Sequence, residues 1–160
     1  YLIDSNIDIN GSHNYPPDRF PTYWKVFEEF IADEKFFFHE SVWDELQKHE
    51  DEKSRWLRKT VPTALKLSKD NDEIRSYAVV TNWARNERIP RYKSEAVRDF
   101  LGVADSWLVA CAYARSLCIV SNETSNPRKI TKVKLPDAAA ALDVDCITGI
   151  DFLRREKISF

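Results

Sequence analysis

The sequence predicts an α/β fold, in which helices cover both faces of a parallel β-sheet. Short apolar segments alternate with amphipathic helical segments along the chain, a pattern that is typical of such folds. Residues 117–120 form a continuous apolar run, as expected of a strand that is buried on both faces. The chain has 160 residues, of which 43% are hydrophobic and 12% aromatic. This length and composition predict a single domain over residues 1–160 with one sizeable core.

Two strands and three helical regions are predicted in the first part of the chain. The strands are the apolar segments 1–3, which ends at Asp4, and 36–38. Apolar residues at intervals of three and four predict helices over 22–33, over 40–49 with a charged helical continuation to 60, and over 74–86. Ser41 and Asp44 match a capping box that would start the second of these helices. Residues 13–21 contain three prolines and predict a loop, and residues 65–67 predict a short edge element.

The second part of the chain contains the predicted central strand. Residues 85–98 are basic and include Pro90, so we expect a loop there. A helix over 104–116 then leads into the apolar strand 117–120. A basic loop or hairpin over 126–135, an alanine-rich helix over 137–142, a strand over 145–147 and a helix over 149–157 complete the prediction.

Composition excludes several classes of function. The net charge of −2 gives no global attraction to nucleic acid, so binding of that kind would need local basic patches. The three glycines cannot form a P-loop or a GxGxxG motif, which excludes most nucleotide-cofactor folds. No apolar run is long enough to span a membrane, and no signal peptide is evident. The chain lacks methionine, so we expect a processed or trimmed N-terminus.

The cysteines favour a reducing compartment. The chain has an odd number of cysteines and no CxxC motif; the cysteines are Cys111, Cys118 and Cys146. We therefore expect three reduced thiols and a cytoplasmic location, and no zinc site.

Three acidic residues occupy positions that suggest a common site. Asp4 and Glu123 follow the two strands 1–3 and 117–120, whose carboxyl ends meet at one edge of a parallel sheet. Asp105 opens the helix over 104–116 on the face that packs against the sheet. It could simply interact with the helix dipole, but a buried carboxylate is unfavourable unless it is paired or bound to a cation.

Clustered carboxylates repel one another and favour a hard divalent cation. Mg²⁺ and Mn²⁺ prefer oxygen ligands, and such ions activate water and stabilise charge in phosphodiester hydrolysis. Glu45 flanks the apolar face of the helix over 40–49. Taken alone it is typical of a solvated surface residue.

Four segments resemble, in order, the signatures of PIN-domain ribonucleases. These segments are Leu2–Asn6, a strand that ends in D-[TS]-[NS]; Val42–Leu46, with an acid before leucine; Ala104–Ala110, similar to A-D-x-x-L-[IVA]-A; and Ile119–Glu123, similar to I-V-T-x-[DE]. Together they extend over nearly the whole chain. The insertion 14–21 and the segment 132–137 resemble a bacterial or archaeal branch that is similar to VapC-type toxins. Glu123 stands where many members carry Asp.

This resemblance implies a fold, an activity and partners. The fold would be a three-layer α/β/α domain with a parallel sheet of four or five strands. The activity would be that of a Mg²⁺- or Mn²⁺-dependent endoribonuclease, with Asp4, Asp105 and Glu123 as metal ligands and Glu45 as a ligand or water-positioning group. Ser5 and Asn6 would support Asp4. The partners would be an RNA substrate, an antitoxin that blocks the cleft and a second copy in a homodimer.

Two basic segments could contact a nucleic acid backbone or could be solvated surface. The first includes Arg85, Arg88, Arg91, Lys93 and Arg98. The second includes Arg128, Lys129, Lys132 and Lys134, and we favour it as an RNA-binding rim because it follows Glu123. Two alternatives to a ribonuclease stay open, namely a PIN-like binding module with little catalysis and a DNA flap nuclease.

Overall fold

The computed structural model describes residues 1–7, 18–48 and 52–159. Over these ranges there are five short strands: β1 Leu2–Ile3, β2 Phe38–His39, β3 Lys66–Leu67, β4 Ile119–Val120 and β5 Cys146–Ile147. The α-helices are α1 Pro21–Ala32, α2 Glu40–Gln47, α3 Glu52–Thr60, α4 Asn71–Asn82, α5 Ser94–Leu101, α6 Ala104–Arg115, α7 Leu135–Ala141 and α8 Gly149–Arg155. A 3₁₀ turn at Thr63–Leu65 precedes β3, and a π-helical turn at Trp83–Glu87 extends α4.

The strands form two parallel sheets, which confirms the α/β class. In the first sheet β4 lies between β1 and β5, with Ile119 opposite both Leu2 and Cys146. The second sheet pairs β2 with β3. A single bridge between Leu2 and Phe37 connects the two sheets, and Ile3 donates a 2.9 Å backbone hydrogen bond to Phe37. The prediction of one sheet with four or five strands is therefore wrong, because the pairing at Phe37 does not extend into a ladder between β1 and β2.

The core surrounds the first sheet and the helix α6. Leu2, Ile3, Ile119 and Val120 are almost completely buried, and so are residues 108–112 of α6. Helix α6 contacts β2 and β4, so it lies where its first turn can reach the ends of these strands. A cluster of aromatic rings also packs within the core, with centroids 5.0 to 5.2 Å apart: Tyr1, Phe27, Phe30, Phe36 and Phe152. The three-layer arrangement stays a prediction.

A buried charged network fixes the start of α2, the helix that carries Glu45. His39 and Glu73 are both fully buried, with Nε2 and Oε1 2.7 Å apart, although the contact is not aligned as a linear hydrogen bond. Arg115 donates to Glu73 Oε2 at 2.6 Å. The second ring nitrogen of His39, Nδ1, accepts the backbone N–H of Ser41 at 3.2 Å. This network joins the end of β2 to α4 and α6, and it holds α2 in place relative to α6.

Several local predictions need correction. The predicted capping box is wrong, because His39 is the N-cap of α2 and Ser41 lies inside the helix. Residues 94–98, predicted as loop, belong to α5, whose Ala96, Val97 and Phe100 are buried. The charged residues between these three conceal the helical spacing in the sequence. Most of the predicted loop 13–21 and the junction 49–51 lie outside the described residues.

Candidate functional site

Asp4 is buried at the carboxyl end of β1, with only 4% of its surface exposed. Ser121 Oγ donates a 2.8 Å hydrogen bond to Asp4 Oδ2. The Ser5 hydroxyl lies 3.4 Å from Asp4 Oδ1 and also 3.4 Å from Glu45 Oε2, so it sits between the two acids. Burial raises the pKa of Asp4 to about 6, and the negative charges of Glu123 and Glu45 contribute to this rise.

Ser121 and Asn6 connect the ends of β1 and β4. Ser121 Oγ accepts hydrogen bonds from Asn6 Nδ2 and from the backbone N–H of Glu123, both at 3.1 Å. Asn6 Oδ1 in turn accepts the N–H of Asn122 at 2.8 Å. Ser5 and Asn6 thus lie beside Asp4, where the resemblance places them. Ser121 is a site residue that was not predicted from the sequence, although it occupies the strand-end motif between Val120 and Glu123.

Asp105 lies in the first turn of α6 as a half-buried carboxylate. Burial raises its pKa to about 7, and the charges of Asp4, Glu123 and Glu45, in that order, raise it further, while Lys132 opposes them. Across the described ranges, Asp105 has no hydrogen-bond or ion-pair partner for its side chain. The N-cap position of α6 belongs to Val103, which cannot accept a hydrogen bond through its side chain. The geometry therefore favours a carboxylate that faces other acids over one that caps the helix.

Glu123 differs from the two aspartates because its charge is compensated. Lys134 Nζ contacts Glu123 Oε1 at 2.7 Å, and Lys132 Nζ lies 3.6 Å from the same oxygen. The backbone N–H of Leu135, at the start of α7, donates to Glu123 Oε2 at 2.6 Å. Two members of the predicted RNA-binding rim thus turn toward the acidic site. Lys134 is mostly buried with 19% exposure, whereas 58% of the Lys132 side chain is exposed.

Folding therefore brings the four predicted acids within electrostatic reach of one another. Asp4, Glu45, Asp105 and Glu123 come from the end of β1, from α2, from α6 and from the segment after β4. Among the residues that the structure describes, no three His, Cys, Asp or Glu side chains are close enough to form a ready-made metal site. The cluster offers only oxygen donors, which is the ligand chemistry that Mg²⁺ and Mn²⁺ prefer.

The two basic segments of the sequence lie side by side. Arg88 Nη2 donates to the carbonyl oxygen of Pro127 at 2.6 Å, and its guanidinium stacks 3.7 Å above the ring of Tyr92. The N–H of Lys93 donates to the carbonyl oxygen of Ile130 at 2.9 Å. These contacts bring together exposed cations that we call the basic surface: Arg91, Lys93, Arg128 and Lys129.

A pocket of about 400 Å³ opens beside Asp105 and Glu45. Helix α5, the start of α6 and the segment 131–133 form its walls. Its lining includes apolar and polar side chains, and Lys132 lies among them. The pocket therefore continues the acidic site toward the segment that leads to the basic surface.

The family model described as "Domain of unknown function (DUF4411)" matches residues 1–160. The chain belongs to this family. No curated protein matches the chain. The DUF4411 description assigns no activity, so the resemblance to PIN-domain ribonucleases stays a prediction. Within the described part of this DUF4411 chain, no helix has the length and apolarity needed to cross a membrane.

Proposed function

We propose that the chain is a metal-dependent endoribonuclease. The observation that carries this proposal is that Asp4 is buried and Asp105 half-buried beside each other and beside two glutamates, although they come from distant parts of the sequence, and that this raises the pKa of both. Buried carboxylates that repel one another destabilise a fold unless they gain a cation. Sites at which charge lowers stability in this way are frequently functional.

Asp4, Asp105 and Glu123 would hold a Mg²⁺ or Mn²⁺ ion. When bound, the ion would supply Lewis-acid stabilisation of the scissile phosphate and would favour ionisation of a water molecule. Ser121 fixes the orientation of Asp4 through its 2.8 Å hydrogen bond. Lys134 and the Leu135 N–H fix Glu123. Glu45, on α2, would position water or act as a further ligand through its place beside Ser5.

The basic surface supports a nucleic acid substrate. Its exposed arginines and lysines can contact phosphates without reading sequence, which suits positioning of a strand beside the acidic cluster. From the resemblance to VapC-type toxins we extend the proposal to a cytoplasmic toxin that is blocked by an antitoxin and that forms a homodimer. The three cysteines are free, in keeping with a reducing compartment.

The test compares cleavage of structured RNA and of DNA of the same sequence by the purified chain with Mn²⁺. We expect RNA cleavage that needs the ion and that falls by at least about a hundredfold in Asp4→Asn and Asp105→Asn, as for loss of key electrostatic groups. Asp143→Asn is the matched control, since Asp143 lies before β5 at the opposite edge of the sheet. Unchanged cleavage in both site variants would refute the assignment, and cleavage of DNA alone would favour a flap nuclease.

A binding module is the second candidate, and one observation favours it. Both carboxylate oxygens of Glu123 are already engaged, by the two lysines and by the Leu135 N–H. A site in which lysine permanently replaces the cation would bind RNA without cutting it. Such a protein would retain RNA affinity in EDTA and show no cleavage at any Mn²⁺ concentration.

A further inference from the structure

The pocket beside Asp105 has the size and position of a ligand subsite. Its volume of about 400 Å³ falls in the range of pockets that hold drug-sized ligands. It shares Glu45 and Asp105 with the acidic cluster, so a ligand in it would lie directly beside that cluster. An RNA strand with one phosphate at these acids would therefore place an adjacent nucleotide at the mouth of the pocket.

The walls of the pocket suit a flat ring. Ala96 and Phe100 of α5, together with Val133, lie at the base of its apolar side and are at most 3% exposed. Val103 stands at its mouth with 46% exposure. An apolar wall would cover the faces of a nucleobase, while polar groups near the opening could meet its edge.

The polar lining is dominated by hydrogen-bond acceptors. Glu45, Asp99 and Asp105 contribute carboxylates, which accept hydrogen bonds when ionised, and Thr131 can donate or accept. Lys132 adds one ammonium donor, which the carbonyl oxygen beside the N–H groups of guanine can accept. Guanine presents two adjacent N–H groups on its pairing edge. Uracil, by contrast, presents one N–H between two carbonyl oxygens, which carboxylates would repel. The charges thus favour guanine over uracil.

Lys132 connects this pocket to the surface along which an RNA strand would lie. Its ammonium lies 3.6 Å from Glu123 while its side chain also lines the pocket. The basic surface continues from the same segment, so phosphates on either side of the bound base would meet cations. We propose that this pocket binds one guanine base of an RNA strand, next to the phosphate at the acidic cluster, and so sets a sequence preference. This inference rests on the proposed function for the identity of the strand.

The experiment measures binding of the full chain to fluorescent RNA octamers in EDTA, where a metal-dependent activity is silent. One octamer carries a single guanine in a uridine background, and the others replace it with inosine, uracil or an abasic site. We expect the guanine octamer to bind at least about tenfold more tightly than the others, in keeping with recognition of one base edge. Equal binding of all four octamers would overturn the proposal.

Two variants test whether the preference for guanine arises in this pocket. Val103→Phe fills the mouth of the pocket, and Asp99→Asn replaces one acceptor oxygen with a donor, so both should remove the guanine preference. Val79→Phe is the matched control, because Val79 is similarly exposed at 41% on α4 and does not line the pocket. Retention of the preference in both pocket variants would place recognition elsewhere and overturn the proposal.

The outcomes separate this proposal from the proposed function. A guanine preference in EDTA together with no cleavage in Mn²⁺ would reject the nuclease and retain the pocket. Cleavage in Mn²⁺ with equal rates at all bases would retain the nuclease and reject the pocket.

Discussion

Substitution of Asp105 by Asn should make the metal-free protein more stable at neutral and alkaline pH. The substitution retains the shape of the side chain and removes its charge. Burial and three neighbouring acids raise the pKa of Asp105 from 3.8 to about 7. The folded state therefore binds more protons than the unfolded state between about pH 4 and pH 7, so the stability contributed by this group falls as the pH rises through that window.

The size of the effect follows from this difference in pKa. One pKa unit corresponds to about 1.4 kcal/mol, so the ionised Asp105 lowers the free energy of unfolding by at most about 4 kcal/mol above pH 7. For a chain of this size each 1 kcal/mol changes Tm by about 2–4 °C. Asp105→Asn should thus unfold at a clearly higher temperature than the wild type at pH 8. The two proteins should approach each other near pH 4 and converge below about pH 3, where the carboxyl group is protonated in both states.

Chemical denaturation at pH 4, 6 and 8, in EDTA and then in Mn²⁺, measures both parts of the argument. Free ion at a hundred times its Kd stabilises a protein by about 2.7 kcal/mol. We expect the wild type to reach this gain at a lower Mn²⁺ concentration than the variant. The control is Asp143→Asn, since Asp143 is exposed and its positive φ of 54° is also accessible to asparagine. If Asp105→Asn is no more stable than the wild type at pH 8 in EDTA, the carboxylate is not destabilised by its surroundings and the reasoning fails.

Three further substitutions test the surroundings of the site. Ser121→Ala removes the hydrogen bond to Asp4 and should lower the free energy of unfolding by about 1–3 kcal/mol in urea denaturation. Glu73→Gln removes the carboxylate between the buried His39 and Arg115, although Arg115 keeps Asp70 at 2.7 Å, and should lower it by about 1–3 kcal/mol, whereas Asp72→Asn on the exposed first turn of α4 should change it little. Arg88→Ala releases the segment 126–130 and should weaken RNA binding in a salt titration, with no change in affinity counting against the basic surface.

The positions of three of the four acids could be predicted from topology and helical spacing, whereas Glu45 could be placed only by the family resemblance. Asp4 and Glu123 follow strands that pair in parallel, and such strands end at one edge of the sheet. Asp105 could be placed because helical spacing puts it on the same face as the buried Leu108 and Val109. Neither inference requires the register or the length of a strand.

Other features depend on information that a single sequence does not carry. Each strand has two residues, so the division into two sheets depends on one backbone pairing at Phe37. Helix α5 has apolar residues only at 96, 97, 100 and 101, with charged residues between them. Lys132 and Lys134 lie in or beside an irregular segment, and its backbone sets the direction of their side chains. The run of basic residues in the sequence therefore does not predict that these two side chains contact Glu123.

Positive charge is distributed unequally around the acidic cluster, and this indicates which of its carboxylates would bind a divalent cation most strongly. Lys134 neutralises Glu123, while among the described residues Asp105 has no cation within ion-pair distance and Asp4 has neutral donors from Ser121 and Ser5. A fold selected for stability alone would place a lysine beside the acid whose pKa is raised most. Here the compensated acid is instead Glu123. An entering divalent cation would therefore gain most from Asp4 and Asp105, and Glu123 would join only by sharing its oxygens with Lys134.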